Sequence, residues 1–279
     1  MNLENLIQSA TAHLLTCPEN HVTEEDALRP DLAGMAFYDE PLFGVASADD
    51  PLFSRYKTDG IVHEEMLLPD EWLPGAKSIL SFFLPFSEQV RVSNRQMTDL
   101  ASQEWFHARI EGQMMMDHFG QYICSLLEKE GYRAVYPAAD SRFHWIGNAA
   151  SNWSERHAAY AAGLGTFGLS KGLITKKGMA GRFGSVITDA ILPVTEREYS
   201  TPFEYCIMCG KCQIMCPAGA IDLSRGILEG KNHTVCQMFQ RARRQPPHGP
   251  NQRIRYGCGK CQVNVPCETV IPKRTQKAD

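Results

Sequence analysis

Eight of the ten cysteines in this chain of 279 residues lie between residues 206 and 267. The first four of them, Cys206, Cys209, Cys212 and Cys216, form the pattern C-x2-C-x2-C-x3-C-P. Three thiolates at this spacing wrap one corner of an iron–sulfur cubane, and the fourth points away to a second cluster. A zinc site usually joins two C-x2-C pairs, or cysteine and histidine, across a longer gap. The spacing therefore predicts a [4Fe–4S] cluster.

A looser set of cysteines follows at Cys236, Cys258, Cys261 and Cys267. By the exchange of ligands known from two-cluster ferredoxins, one [4Fe–4S] cluster takes the first three cysteines of the first motif plus Cys267. The other cluster takes Cys216 together with the remaining three cysteines. The array thus predicts two [4Fe–4S] clusters and the movement of single electrons.

The position of the last ligand leaves two routes open. The usual spacing would put a cysteine at Val265, just before Pro266. Either the loop is re-routed so that Cys267 reaches the iron, which we favour, or the first cluster lacks its fourth thiolate. The second route would give a [3Fe–4S] cluster or a non-cysteine ligand. Cys17 and Cys124 stand apart, and we expect both to be plain buried thiols.

The elements upstream of the array predict an α+β fold. The apolar run 78–84 predicts a buried strand, and the pattern from Asp99 to Glu130 predicts a long helix. A second helix is expected from Ser154 to Gly163. Two apolar stretches, GLIT and FGSVITDAIL, flank a turn-rich segment and predict a hairpin. The change of composition near residue 200 predicts two domains, 1–200 and 201–279.

The net charge and the hydropathy of the chain limit the classes of partner that we expect. The formal net charge of -4 gives no global basic field, so nucleic acid is not an expected partner. No apolar run reaches the roughly 18 residues that a membrane helix needs, so no membrane partner is expected. The first residues contain neither a basic n-region nor a twin-arginine signal. We therefore expect a cytoplasmic location.

Several segments together resemble a known group of proteins. AAGLGTFGLSKGLIT (161–175), FGSVITDAIL (183–192) and the cysteine array, with ADDPLFSRY (48–56) and LPDEWLPGAKSILSFFLPF (68–86) upstream, are similar to cobalamin-dependent iron–sulfur reductases. These are the epoxyqueuosine reductases and the reductive dehalogenases. The resemblance implies a nitroreductase-like mixed α/β sandwich of the cobalamin-binding type, followed by a ferredoxin-like domain with two [4Fe–4S] clusters.

The resemblance also implies a function. The clusters would pass single electrons to a bound cobalamin, which reduces a small-molecule substrate, and a low-potential donor such as ferredoxin or flavodoxin would supply the electrons. The chain departs from the epoxyqueuosine reductases because the position that matches their general acid is Ala149, and their C-terminal helical repeats are missing. This argues against epoxyqueuosine reduction. The alternative is a non-enzymatic electron-transfer protein or reductive activator that serves a separate corrinoid protein.

Candidate site residues lie near the segment 161–175. Gly163, Gly165 and Gly168 form a G-x-G-x-x-G run after a helix, and either bring backbone close to a cofactor or cap the helix. Ser170, on the same loop, is a further candidate cofactor contact.

Candidate proton donors are Tyr160, His157 and Asp140, which could equally be packing or turn residues. The arginine-rich loop between Cys236 and Cys258 could dock an acidic partner or RNA, but we expect a solvated loop.

Overall fold

The computed structural model describes residues 2–147 and 150–273. Its α-helices are α1 (Leu3–Thr16), α2 (Pro51–Thr58), α3 (Pro69–Trp72), α4 (Glu88–Ser93), α5 (Gln103–Lys129), α6 (Glu155–Ala161), α7 (Lys211–Ile214), α8 (Gly226–Glu229) and α9 (His233–Arg241). Its strands are β1 (Leu42–Ser47), β2 (Ser78–Pro85), β3 (Ala134–Val135), β4 (Trp145–Ile146), β5 (Ala150–Ser151), β6 (Gly165–Phe167), β7 (Leu173–Thr175) and β8 (Gly181–Thr188). In the described part of the chain, no helix is both long and apolar enough to cross a membrane.

The central sheet has the strand order β1-β2-β8-β3, and all neighbouring strands are antiparallel. Every residue of β2 is buried, because helices cover both faces of the sheet. Side chains alternate between the faces of a strand. Leu80 and Phe82 therefore pack with α1 and α5, whereas Ile79 packs with Trp153 on the α6 side. The buried strand and the α+β fold predicted from the sequence are confirmed.

Helix α5 is the long helix that the sequence predicts, although it begins at Gln103 rather than near Asp99. The Ser102 side chain caps it by accepting the Trp105 N–H at 3.1 Å. After its last residue the chain turns at Gly131, which has a positive φ of 86°. One face of α5 packs into the core, so this helix can serve as a rigid wall for a site on its other side.

The predicted hairpin between GLIT and FGSVITDAIL is wrong. Strand β7 pairs with β6, whereas β8 pairs with β2 and β3 in the central sheet. The turn between them does form, with Gly178 N–H donating to the Thr175 carbonyl at 2.9 Å. The chain then leaves in another direction because Met179 and Ala180 donate backbone N–H groups to the Cys267 and Glu268 carbonyls. The cysteine-rich segment takes the place that a hairpin partner would fill.

The segment beyond residue 200 consists of short helices and turns, and its loop at Gly257 and Gly259 packs on α5. The buried Lys260 ammonium donates to the carbonyls of Asn94 and Gln96 at 3.1 and 2.8 Å. Asn94 in turn donates its amide to the Cys258 carbonyl at 2.9 Å. These polar contacts fix the second cysteine loop against the rest of the chain. A domain boundary near residue 200 stays a prediction.

Candidate metal centres

The first pocket is lined by Cys206, Cys209, Cys212 and Cys267. Three of these cysteines come from one tight loop in which Met208 and Gly210 have positive φ angles of 54° and 70°. This wrapped backbone is the conformation that the short C-x2-C-x2-C spacing requires around a cluster corner. Cys209 is the exposed member of the quartet. The four cysteines predicted for one cluster therefore share one pocket.

The second pocket is lined by Cys216, Cys236, Cys258 and Cys261. Unlike the first quartet, these cysteines come from three separate segments: Cys216 just after α7, Cys236 on helix α9, and the loop 258–261. Gly259 lies between the last two cysteines, with a φ of 64°, and a Cβ there would lie 1.9 Å from the Trp105 ring. Glycine is therefore required for this loop to pack on α5.

Cys267 reaches the first pocket through a turn. Val265, at the position where the usual spacing has a cysteine, is buried instead. The Glu268 N–H donates to the Val265 carbonyl at 3.0 Å and closes the turn. The Glu268 carboxylate accepts the Asn264 N–H and an Arg95 N–H, both at 2.7 Å. Of the two routes left open by the sequence, the chain follows the one that brings Cys267 into the pocket, and its role as a ligand stays a prediction.

The linings of the two pockets differ in charge. Arg109, Arg182 and Lys231 line the second pocket. Among the described residues that line the first pocket, none is charged. Repulsion from Arg182, together with burial, lowers the pKa of Arg109 to about 10. Because an anion near both guanidiniums would relieve this repulsion, the second pocket is suited to a negatively charged group.

The thiols of both pockets are held in an environment that opposes free thiolates. Burial, and secondarily repulsion from neighbouring cysteines, raises the pKa of Cys212, Cys258 and Cys267 to about 12. Cys261 is among the neighbours that raise the pKa of Cys212, so the two pockets adjoin. A metal core offsets this cost because it ligates the thiolates directly. Two sets of four thiols match in number and type the donors that two cubane clusters need.

Two N–H groups already point at sulfur in the second pocket. The Ala220 N–H lies 3.3 Å from the Cys216 Sγ, and the Gln240 side-chain amide lies 3.4 Å from the Cys236 Sγ. Hydrogen bonds to ligating sulfurs are one of the means by which proteins set cluster potentials.

His157 and Tyr160, two of the predicted proton donors, lie on α6 and both contact the ring of Phe167. The His157 Nδ1 is 2.7 Å from the Ser154 hydroxyl. Burial, with a smaller effect of Arg156, lowers the pKa of His157 to about 3. Burial raises the pKa of Tyr160. At neutral pH the imidazole is therefore uncharged and the phenol is protonated.

Asp140, the third predicted donor, forms a bidentate ion pair with Arg142 at 2.9 and 2.8 Å. Hydrogen bonding from Arg142 lowers the pKa of Asp140. The carboxylate is therefore ionised at neutral pH and is a poor proton donor. Ala149, which matches the general acid of the epoxyqueuosine reductases, lies outside the described residues.

The glycines of the G-x-G-x-x-G run have two different structural roles. Gly163 ends α6 with a φ of 79°, and a Cβ on Gly165 would lie 1.9 Å from the Ile174 carbonyl of the neighbouring strand. These two positions serve helix termination and strand packing. Gly168 and Ser170, in contrast, line the first pocket.

Glu155, which we did not identify from the sequence, is the most unusual carboxyl in this region. Its Oε2 accepts the Ser185 hydroxyl, and its Oε1 is buried without a hydrogen-bond partner among the described residues. Burial raises the pKa of Glu155 to about 8, although the hydrogen bond from Ser185 opposes this effect. A carboxyl that is protonated at neutral pH is a candidate general acid. Its position in the first turn of a helix gives no signal of this, because carboxylates are common there.

Two arginines and a histidine lie near one another beside the second pocket, and we call this region the cationic cleft (Arg156, Arg182 and His233). Arg156 is solvent-accessible, yet burial and then Arg182 lower its pKa, while Cys261 opposes the effect. Burial, followed by Lys231 and Arg156, lowers the pKa of the accessible His233 to about 4. Arg156, Arg182 and Lys231 are therefore the cations near Cys261, and His233 beside them is uncharged at neutral pH.

The expectation of a solvated arginine-rich loop is wrong for two of its arginines. Arg255 is buried and pairs with Glu111 on α5 at 2.6 Å, and Arg253 pairs with Asp26 at 2.5 Å. Their carboxylate partners are far away in the sequence, so local composition could not reveal them. These two guanidiniums are committed to internal ion pairs and do not form a free basic surface.

Comparison with known proteins supports the cluster assignment. Residues 202–222, which contain the first cysteine motif, match the family described as 4Fe-4S binding domain. The sequence has no significant match among curated proteins. This family match shows that the chain carries a 4Fe-4S binding domain.

Solved structures match nearly the whole chain. Epoxyqueuosine reductase from Streptococcus thermophilus has a TM-score of 0.55 at 16% identity, covering 99% of this chain and 69% of the enzyme. The Bacillus subtilis epoxyqueuosine reductase has a TM-score of 0.53 at 18% identity, covering 95% and 64%. A catabolic reductive dehalogenase has a TM-score of 0.54 at 14% identity, covering 96% and 37%. At these identities the similarity shows the fold, and the chain spans 64% of the Bacillus subtilis enzyme's length. The fold expected from the resemblance is confirmed.

Proposed function

We propose that this chain is an iron–sulfur redox protein that uses two [4Fe–4S] clusters to deliver single electrons to a corrinoid and thereby reduces a small molecule. The observation that carries the proposal is the pair of adjoining cysteine quartets, the second of which borders the cationic cleft. Cubane clusters can reach the low potentials that corrinoid reduction needs. A cytoplasmic location belongs to the same proposal.

Electrons would enter at the first pocket. Cys209 is exposed, and Arg95 and Lys211 lie beside it in an open depression of the surface. The one carboxylate of this depression, Glu268, is buried and paired to Arg95, so the accessible charge is positive. An acidic low-potential donor such as ferredoxin or flavodoxin matches that charge. The exchange of Lys211 for Gln should slow reduction by such a donor and weaken its dependence on salt, while reduction by dithionite is unchanged.

The cationic cleft is the proposed corrinoid site. Glu155 precedes Arg156 on α6, and its buried Oε1 has no hydrogen-bond partner among the described residues, as expected beside a site for a polar ligand. Arg156 and His233 would hold the corrinoid through its amide and phosphate groups. A bound corrinoid would supply the reductive chemistry at its metal. Glu155 would keep a proton available in the cleft, and it is a better donor than the ionised Asp140 because its carboxyl is protonated at neutral pH.

The test begins with anaerobically purified chain reconstituted with iron and sulfide. We expect about eight irons per chain, an EPR signal after reduction by dithionite, and corrinoid absorbance that co-elutes with the protein after incubation with cobalamin. Replacement of Arg156 by Met should reduce corrinoid retention, whereas Lys176→Met, at an exposed lysine, should not. Zinc without iron would overturn the whole proposal. Intact clusters with no retained corrinoid would overturn its corrinoid part.

The alternative is an electron carrier or reductive activator for a separate corrinoid protein. The absence of a carboxylate at Ala149 favours it, since the general acid of the related reductases has no counterpart there. Substrate turnover by the isolated chain with a chemical reductant would exclude it. Loss of that turnover in a Glu155→Gln variant with intact clusters would assign the proton to Glu155.

A further inference from the structure

A second constellation of metal-binding side chains lies where α1 meets α5, among residues that the proposed electron path does not use. His13 is in the last turn of α1, Cys17 caps that helix, and His118 lies on α5. One ligand atom from each, two imidazole nitrogens and one sulfur, lie within 4.8 Å of one another. Cys17 is buried and both histidines are half-buried. We propose that these three residues, with Glu19, form a zinc site that joins α1 to α5.

The two histidines face each other through the same ring nitrogen. The His13 Nε2 and the His118 Nε2 are 2.9 Å apart, so at most one of them can carry a proton between them. The His13 ring is held in place by stacking on Tyr122, with the centroids 3.7 Å apart. Tyr122 lies one turn beyond His118 on the same helix. At least one lone pair, on a ring that stacking already orients, is therefore available to a metal ion.

Glu19 lies next to this group, and we assign it as the fourth donor. Its carboxylate Oε2 lies 3.1 Å from the Cys17 Sγ. The edge of a tetrahedron around zinc, with bonds of about 2.0 to 2.3 Å, is roughly 3.3 to 3.8 Å. The observed separations of 2.9 Å between nitrogens and 3.1 Å between sulfur and oxygen are slightly shorter than such an edge. The two histidines would move slightly apart to admit the ion, and the Glu19 carboxylate, which lies outside the group of three, would move toward them to complete the site.

The donor set favours zinc over copper. Two imidazoles, one thiolate and one carboxylate are all common zinc ligands. Copper would prefer the soft thioether of Met115, whose Sδ lies 3.6 Å from the Cys17 Sγ. The carboxylate is nearer to the thiol than the thioether is. We therefore assign Glu19, and not Met115, as the fourth ligand.

The sequence pattern alone could not reveal this site. His13 and Cys17 are one helical turn apart, but the third ligand is more than a hundred residues away and lies on another helix. The sequence predicts that Cys17 is a plain buried thiol, but the structure places it beside two histidines. Cys124, the other isolated cysteine, belongs to no such group among the residues that the structure describes.

The test measures zinc on the full-length chain with its clusters in place. Competition with a chromogenic chelator should reveal one tightly bound zinc, and zinc X-ray absorption should show one sulfur at about 2.3 Å with nitrogen or oxygen neighbours at about 2.0 Å. His118→Gln and Cys17→Ser should each weaken zinc binding by about 100-fold, and Glu19→Gln by about tenfold. The matched controls Cys124→Ser and Met115→Leu should bind zinc as the parent does. Cluster absorbance verifies that each variant is folded.

Each possible failure has a distinct appearance. Zinc surrounded by four sulfurs, or zinc that persists in His118→Gln, would mean that the ion occupies a cysteine pocket, and would overturn the proposal. Tight binding that depends on Met115 and prefers copper would overturn the assignment of zinc. No bound zinc in the parent chain would leave a hydrogen-bonded histidine pair and would also overturn it. Zinc that stabilises the parent by several degrees in thermal unfolding, but not His118→Gln, would support it.

Discussion

Each of the two cysteine pockets offers four thiols for the clusters proposed above, yet the pockets are built differently. The first pocket takes three ligands from one compact loop and is lined by apolar and small residues. The second assembles its ligands from three segments and is lined by Arg109, Arg182 and Lys231. The first therefore has an exposed cysteine and few charges, whereas the second is surrounded by cations and adjoins the cationic cleft.

This difference implies a direction for electron flow. A cubane with four thiolates is an anion and becomes more negative on reduction, so nearby cations and N–H donors favour its reduced form. The second cluster should therefore have the higher potential of the two. Electrons that enter at the exposed Cys209 would move downhill to the second pocket and so toward the cleft.

The largest expected effect is the separate loss of each cluster. Cys267→Ala should remove or convert the first cluster, and Cys258→Ala should remove the second. Complete loss of one cluster lowers the iron content from about eight to about four per chain. Iron and sulfide analysis with EPR of the reduced protein measures this effect. Cys124→Ser is the control and should keep all the iron. Full iron in Cys267→Ala would mean that the first pocket does not use that thiol.

The next effect concerns carboxyl groups near the two pockets. Near the first pocket, Glu268 is ion-paired with Arg95. On the cleft side, Glu155 lacks an ion pair in the described chain, and its pKa is raised to about 8. The folded protein therefore keeps this proton up to about pH 8, while the unfolded chain loses it near its ordinary value of 4.5. Between these values the folded state binds more protons, so stability should fall as pH rises.

The variant Glu155→Gln removes that pH dependence. At about pH 4.5 the melting temperatures of the variant and the parent should be close, and by about pH 8 the variant should be more stable by several degrees. Thermal unfolding of the cluster-loaded proteins at three pH values tests this prediction. Glu198→Gln, at an exposed carboxylate, serves as the control. Parallel curves for parent and Glu155→Gln would mean that Glu155 is ionised in the fold.

A third effect is the potential of the second cluster alone. Arg182→Met removes one cation from its lining and should lower its potential by on the order of 50 mV, from a Coulomb interaction across an effective dielectric of about 20. The same change relieves the repulsion that lowers the pKa of Arg109, so loss of folding is not expected. A redox titration followed by EPR measures both clusters. An equal shift in the potentials of both clusters would contradict the proposal that the Arg182 charge acts mainly on the second cluster.

The sequence predicts a structural feature well when neighbouring residues determine it, and poorly when residues far apart in the chain determine it. The first motif and the strand at 78–84 are local patterns, and they predicted the first cysteine loop and β2. The hairpin failed because contacts with Cys267 and Glu268, far along the chain, direct the backbone after Gly178. The buried pairing of Arg255 was missed for the same reason. Glu155 was missed because its raised pKa comes from burial, which a first-turn position does not reveal.

The smallest expected effect separates hydrogen bonding from charge in the second pocket. Gln240→Leu removes the amide that lies 3.4 Å from the Cys236 Sγ but changes no charge. The potential of the second cluster should fall by less than in Arg182→Met, on the order of 20 mV, because one neutral N–H···S bond acts on a single ligand. Gln213→Leu, on helix α7, is a control because the Gln213 side chain accepts the Leu223 N–H and, among the described residues, donates to no sulfur. If Gln240→Leu shifted the potential as much as Arg182→Met, hydrogen bonds to sulfur rather than the arginine charges would set the difference between the pockets.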